Sequence, residues 1–180
     1  MTKTAALAER VKRASPEELK KIAEELKPKP ELFQLLGQIY WLATHSKVHA
    51  GYSMATFHKQ FTPGIRLNQF RLYQRNGVPI AFANWAWLSD ELHERYRTTD
   101  YELRPQDWNT GKNLWFPELI APFGDGKKIV LDLRNQEMFK GQKVHAHRVK
   151  RSEDGSGVET RKAGYRTPGA GTRPQRPEPV

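Results

Sequence analysis

QFRLYQRNGVPIAFANWAWLS, residues 69–89, is where the chain changes period and therefore where its fold class is decided. QFRLYQ alternates apolar and polar residues, as a half-buried strand does. Asn76-Gly77 is the dipeptide that closes a tight hairpin, and residues 79–87 then read as a second, more apolar strand. Ser89 caps a short polar helix, SDELHERYR. Downstream, NLWFPELIAPFG (113–124) reads as a third strand ending in a Pro/Gly loop. DGKKIVLDLRNQEMF (125–139) reads as a helix, KVHAHRVKR (143–151) as a strand, and GVETRKA (157–163) as a possible further strand. Helices first, then strands with helices between them, imply an α/β (α+β) domain with a mostly antiparallel sheet flanked by helices.

Upstream of the hairpin the spacing is helical. Ser15-Pro16-Glu17-Glu18 combines a cap, a proline in the first helical position and a capping-box glutamate. Leu19, Ile22, Ala23 and Leu26 follow at helical spacing, and LKPKPEL ends that helix. A strongly apolar helix from Pro30 runs into WLATHSKVH (41–49), and SMATFHKQF makes a short helix before the hairpin. Three parts result: an N-terminal helical extension (1–29), a central domain (30–163) and a Pro/Gly/Arg-rich tail (164–180) with nothing apolar to bury, expected to be disordered.

The bulk composition narrows the chemistry. Of 180 residues none is cysteine, which excludes disulfides, thiolate metal sites and a cysteine nucleophile. There is no apolar run long enough to span a bilayer, and charged residues break the first fifteen positions, so no secretory signal is expected. The net charge of +10 suggests nucleic acid until it is located. Residues 31–139 carry twelve Lys/Arg against eleven Asp/Glu, so the basicity lies in the two ends. A duplex-binding domain carries its cations on the folded face, so nucleic acid is not the expected partner.

Two histidines four residues apart, His45 and His49, admit three readings. On a helix they share a face and could hold a metal, although the zinc-protease pattern requires Glu where Ser46 stands. At a helix end they are favoured simply by the dipole. As a catalytic base, one of them needs a carboxylate to hold its tautomer. Asp107, Glu118 and Asp125 are the candidates, and Glu118 is the unusual one because it interrupts an apolar run.

Four ordered blocks between Leu36 and Asp125 resemble the RTX toxin-activating lysine acyltransferases: LGQIYWLATHSKVH (36–49), IRLNQFRLY (65–73), VPIAFANWAWLS (78–89) and DWNTGKNLWFPELIAPFGD (107–125). The resemblance implies a fold like that of the N-acetyltransferase superfamily. It also implies a cytoplasmic enzyme, no permanently bound cofactor, an acyl-acyl carrier protein donor and internal lysines of an RTX protoxin as acceptors. It puts the general base on His49, through the serine-x-x-histidine spacing from Ser46, and the carboxylate on position 118. The family has aspartate there, whereas this chain has Glu118. It further implies a homodimer, with no stable membrane insertion.

Supporting roles follow on the same reading. Ser46 is either a positioning hydroxyl or a surface one, and Asn68 is a candidate oxyanion donor. PFGDGKK, with Gly124, offers backbone N–H groups for the donor's phosphopantetheine phosphate. Lys127, Lys128 and Arg134 are candidate contacts for an acidic carrier protein. Two alternatives stand beside the enzyme: a degenerate acyltransferase fold that binds toxin or carrier protein, and a basic binding module acting through its tails.

Overall fold

The computed structural model describes residues 3–27, 29–151 and 158–166. The chain divides into two units, residues 1–37 and 38–180. The first holds helices α1 (Lys3–Arg13) and α2 (Pro16–Leu26) and the start of α3 (Pro30–Thr44). The α2 capping box forms as its sequence requires: Glu18 N–H donates to Ser15 Oγ at 3.3 Å and Ser15 N–H to the Glu18 carboxylate at 2.8 Å. Arg10 of α1 reaches Glu25 of α2 with both terminal guanidinium nitrogens, at 3.0 and 3.3 Å.

In the second unit, α4 (Met54–Arg66) is capped by the Ser53 hydroxyl and continues through Pro63, beyond the end that its sequence suggests. The strands are β1 (Phe70–Arg75), β2 (Val78–Asn84), β3 (Ala86–Leu88), β4 (Asn113–Phe116), β5 (Leu119–Ile120), β6 (Lys143–Arg151) and β7 (Val158–Arg166). Helix α5 (Asp90–Thr98) follows β3 and α6 (Gly126–Asn135) follows β5. Asn76 and Gly77 both have positive φ, 51° and 78°, as the β1–β2 hairpin turn demands.

The α/β class and the antiparallel predominance expected from the sequence are present, but the strands form two sheets, ordered β1-β2-β5 and β3-β4-β6-β7. The pairings are antiparallel except β4–β6, which is parallel. The two stretches that the sequence suggests are single strands are each cut. Trp85 separates β2 from β3, and Pro117-Glu118 separates β4 from β5. Proline has no N–H to continue the ladder, so β4 stops at Phe116 and the chain re-pairs with β2 two residues later. The helix expected over 125–139 also ends earlier, at Asn135, and a single 3-10 turn (Glu137–Phe139) follows. The strand expected near 157–163 is β7, which extends to Arg166. Residues 167–180, where most of the disordered tail was expected, lie outside the described residues.

Both faces of β3 and β4 are buried, which explains their unbroken apolar text. Trp87, Leu114 and Phe116 point to a cluster with Trp85, Ile129, Leu133, Phe139 and Val144. Ala86, Leu88 and Trp115 point the other way, to Tyr96, Leu103 and Trp108. Strand period two sorts neighbouring residues between these clusters. Each such large side chain contributes roughly 1.5–3 kcal/mol by leaving water.

Candidate active site

Helix α3 ends at Thr44, so residues 45–51 lie outside it, mostly in turns, and the two histidines do not share a helical face. The Thr44 hydroxyl donates to Trp41 O at 2.8 Å, and His45 Nδ1 meets the same carbonyl at 2.8 Å, satisfying the helix end from the side chains. The chain then folds tightly on itself. His49 N–H and Ala50 N–H both donate to Ser46 O, and Tyr52 N–H donates to His49 O. This turn gathers Ser46, His49 and Tyr52.

Glu118 comes from the gap between β4 and β5. Its position is set by Asn84, the last residue of β2, whose side chain is fully buried. Asn84 Oδ1 accepts the Glu118 N–H at 3.1 Å, Asn84 N–H donates to Glu118 O at 3.1 Å, and Asn84 Nδ2 donates to Gln60 O of α4 at 2.8 Å. Gly64 of α4 makes this approach possible, since a Cβ there would lie 3.1 Å from Asn84 Cβ.

His49 Nε2 lies 2.9 Å from Glu118 Oε2, with the two side chains only 6% and 8% exposed. Ser46 Oγ lies 2.6 Å from the other ring nitrogen, Nδ1. Tyr52 donates its hydroxyl to Glu118 Oε1 at 3.2 Å. With Glu118 ionised, Nε2 carries the proton and the lone pair of the neutral ring sits on Nδ1, where it accepts from Ser46. Burial, then the Glu118 charge and the hydrogen bond to it, push the Tyr52 hydroxyl above its ordinary range. It therefore stays a donor. Tyr96 of α5 is raised first by burial and then by Glu118 and Tyr52. The arrangement is a buried imidazole whose accepting nitrogen meets the hydroxyl of the half-buried Ser46.

The other candidates fall elsewhere. His45 is exposed, with its ring against Trp41 (4.4 Å between centroids) and Phe123 (5.6 Å). Asp107 accepts from the Tyr101 hydroxyl and the Arg104 N–H, and so shapes a 3-10 turn (Pro105–Trp108) rather than facing a histidine. Asp125 is buried against Arg75 at 2.7 Å, and its second oxygen has no partner among the described residues. Asn68 is exposed in the left-handed turn after α4, and no hydrogen bond joins it to the dyad among the described residues. Gly124 has φ +87° and open space where a side chain would start. Lys127 and Lys128 are exposed on the first turn of α6, whereas Arg134 is half-buried. An anion approaching α6 meets the Asp125 carboxylate at the helix start as well as these lysines.

Two residues escaped the sequence reading. Asn84 had a signal, as a polar residue within the apolar run IAFANWAW. Tyr52, three residues after His49, had none beyond its spacing.

Comparison with known proteins bears on this geometry. The sequence model of the RTX toxin acyltransferase family matches residues 29–162. The lysine-acyltransferase RtxC of Vibrio cholerae is 38% identical over 117 residues, 63% of this chain and 76% of that protein. The RTX-II toxin-activating lysine-acyltransferase ApxIIC of Actinobacillus pleuropneumoniae is 36% identical over 104 residues, 58% of this chain and 65% of that protein. The protein-lysine myristoyltransferase HlyC of Escherichia coli is 33% identical over 114 residues, 62% of this chain and 67% of that protein.

Proposed function

The chain belongs to the RTX toxin acyltransferase family, and on that premise we propose that it moves a fatty acyl group from an acyl carrier protein thioester to internal lysine ε-amino groups of an RTX protoxin, with His49 as general base. The observation that carries the reading is the buried contact of 2.9 Å between His49 and Glu118, with Ser46 on the opposite nitrogen. It also weighs against the degenerate-fold alternative, which has no need of an imidazole held between a carboxylate and a hydroxyl.

The acceptor lysine enters as the free amine, having lost one proton to solvent. Its nitrogen attacks the thioester carbonyl, forming the C–N bond. A second proton passes through Ser46 Oγ to His49 Nδ1 as the charge develops. Glu118 holds the ring in the productive tautomer and stabilises the imidazolium. The C–S bond then breaks, and the thiolate leaves with the proton from His49. The N–H groups of Lys47, Val48 and Gly51, which the turn's own backbone bonds leave over, serve the oxyanion in this reading.

Lys127 and Lys128 offer the donor carrier an exposed basic pair. A homodimeric state, a cytoplasmic location and the lack of a resident cofactor belong to the same proposal. None of the described helices is long and apolar enough to cross a membrane.

The test is mass spectrometry of a protoxin incubated with this protein and a panel of acyl carrier protein thioesters. Wild type should add an acyl mass to lysine, His45→Ala should retain most activity, and His49→Ala should have none. Full activity of the His49 variant would remove the base assignment.

A further inference from the structure

We infer that Tyr52 is a positioning residue for the reaction, holding the Glu118 carboxylate in the orientation that His49 requires. The inference rests on the acyltransfer reading above and concerns a residue which that reading does not use. Glutamate carries one more rotatable bond than aspartate, so fixing its backbone does not fix its carboxylate. Asn84 grips only the Glu118 peptide N–H and C=O. Among the described residues the carboxylate has two tethers, His49 on Oε2 and the Tyr52 hydroxyl on Oε1. Without the second, a buried oxygen is left with no donor, and the carboxylate turns outward to find water.

Tyr52 is well placed for this task. Its ring lies 5.2 Å from the His49 ring and 6.5 Å from Phe61 of α4, so the phenol is braced between the imidazole and the core. The same side chain therefore walls the imidazole and points its hydroxyl at the carboxylate. The titratable groups that the structure sets around Glu118 are His49, Tyr52 and, from α5, Tyr96. Phenylalanine at position 52 retains the wall and deletes the tether alone.

The experiment compares wild type, Tyr52→Phe, Glu118→Gln and the double variant in acyl transfer to a protoxin from a myristoyl-acyl carrier protein. Tyr52→Phe should melt like wild type, lose about ten-fold in kcat and keep its KM for both substrates, as expected for a lost hydrogen bond to a charged group. The acidic limb of its kcat/KM profile should move to lower pH, because the imidazolium has lost part of its counter-charge. In the Glu118→Gln background the same change should cost far less, because no carboxylate remains to be oriented. The hydrogen-bonded Nε2–H proton of His49, read by NMR without substrate, should move upfield in Tyr52→Phe as its contact with the carboxylate loosens.

Unchanged kcat and pH profile, a limb moved to higher pH, or an equal loss in both backgrounds would each overturn the inference. The NMR signature separates the two readings. If wild type transfers nothing but the resonance shifts as described, the acyltransfer reading fails and the positioning of Glu118 by Tyr52 stands.

Discussion

Replacing Glu118 with glutamine is the perturbation whose cost the structure defines best. The side chain keeps its length: the amide oxygen can still accept from His49 Nε2–H across the 2.9 Å contact, while the amide N–H donates to the Tyr52 hydroxyl across the 3.2 Å one, reversing that hydrogen bond. The charge is lost, and one of the two acceptors becomes a donor. In the transition state the imidazole becomes a cation, and the wild-type carboxylate faces it across a water-poor gap. With charge centres about 4 Å apart and an effective dielectric near 20, that attraction is about 4 kcal/mol, or roughly a thousand-fold in rate. An equivalent carboxylate-to-amide change in a Ser-His-Asp triad costs about 10⁴, through the wrong imidazole tautomer, so a flipped His49 ring would add to the electrostatic loss.

Glu118→Asp separates charge from reach. It keeps the charge but withdraws it by one C–C bond, about 1.5 Å, which opens the contact past hydrogen-bonding range at fixed backbone. A smaller loss, about ten-fold, is expected. The assay is the initial rate of acyl-lysine formation on a protoxin, followed by peptide mass spectrometry, with circular dichroism to establish folding. If Glu118→Gln loses less than about ten-fold while remaining folded, the carboxylate does not stabilise an imidazolium and the general-base reasoning fails.

Two predictions concern stability. A Cβ on Gly111 would lie 2.5 Å from Leu88 O and 2.6 Å from Ser89 N, backbone atoms that cannot swing aside; Gly111→Ala should cost about 3 kcal/mol and lower Tm by about 10 °C, and an unchanged melt would refute the tight packing of Gly111 on the end of β3. His145 is buried between His93 and Trp115, and burial first, then His93, Lys143 and Arg97, depress its pKa to about 4. The unfolded chain takes up that proton near pH 6.5 and the folded one only near 4, so stability should fall as pH drops through this window. Tm measured between pH 7 and 4.5 should decline less steeply in His145→Phe; parallel curves would refute the attribution.

Much of this fold was legible because local signals and tertiary structure agree. The Ser15 capping box, the Asn76-Gly77 turn and the Ser89 cap each encode a backbone geometry within a few residues, and each formed. The breaks in the two long apolar stretches were not legible. A strand buried on both faces and a strand that changes sheets both read as continuous apolar text, and Trp85 carries no mark of the interruption. Pro117 did carry one, through its missing N–H. At the site, Glu118 stood out as a charge in apolar surroundings. Tyr52 did not, because its role depends on a partner 66 residues away that only folding brings within reach. The end of α3 at Thr44 was equally hidden, since side-chain hydrogen bonds to Trp41 O, rather than a glycine or proline, terminate that helix.

The gap between the two sheets has a consequence for inheritance of the site. In an ordinary strand a slip of one residue carries a side chain to the opposite face. Glu118 is indexed differently: Pro117 forbids the ladder from running on, and both peptide groups of Glu118 that bond are matched to Asn84. The Asn84–Glu118 match continues the β2–β5 register, with Phe82 opposite Ile120 and Ala83 opposite Leu119, so the height and facing of the carboxylate are held by that pairing rather than by β4. The transferable unit is the clasp of Asn84, Pro117 and Glu118 together with that pairing, which another sheet could adopt whole.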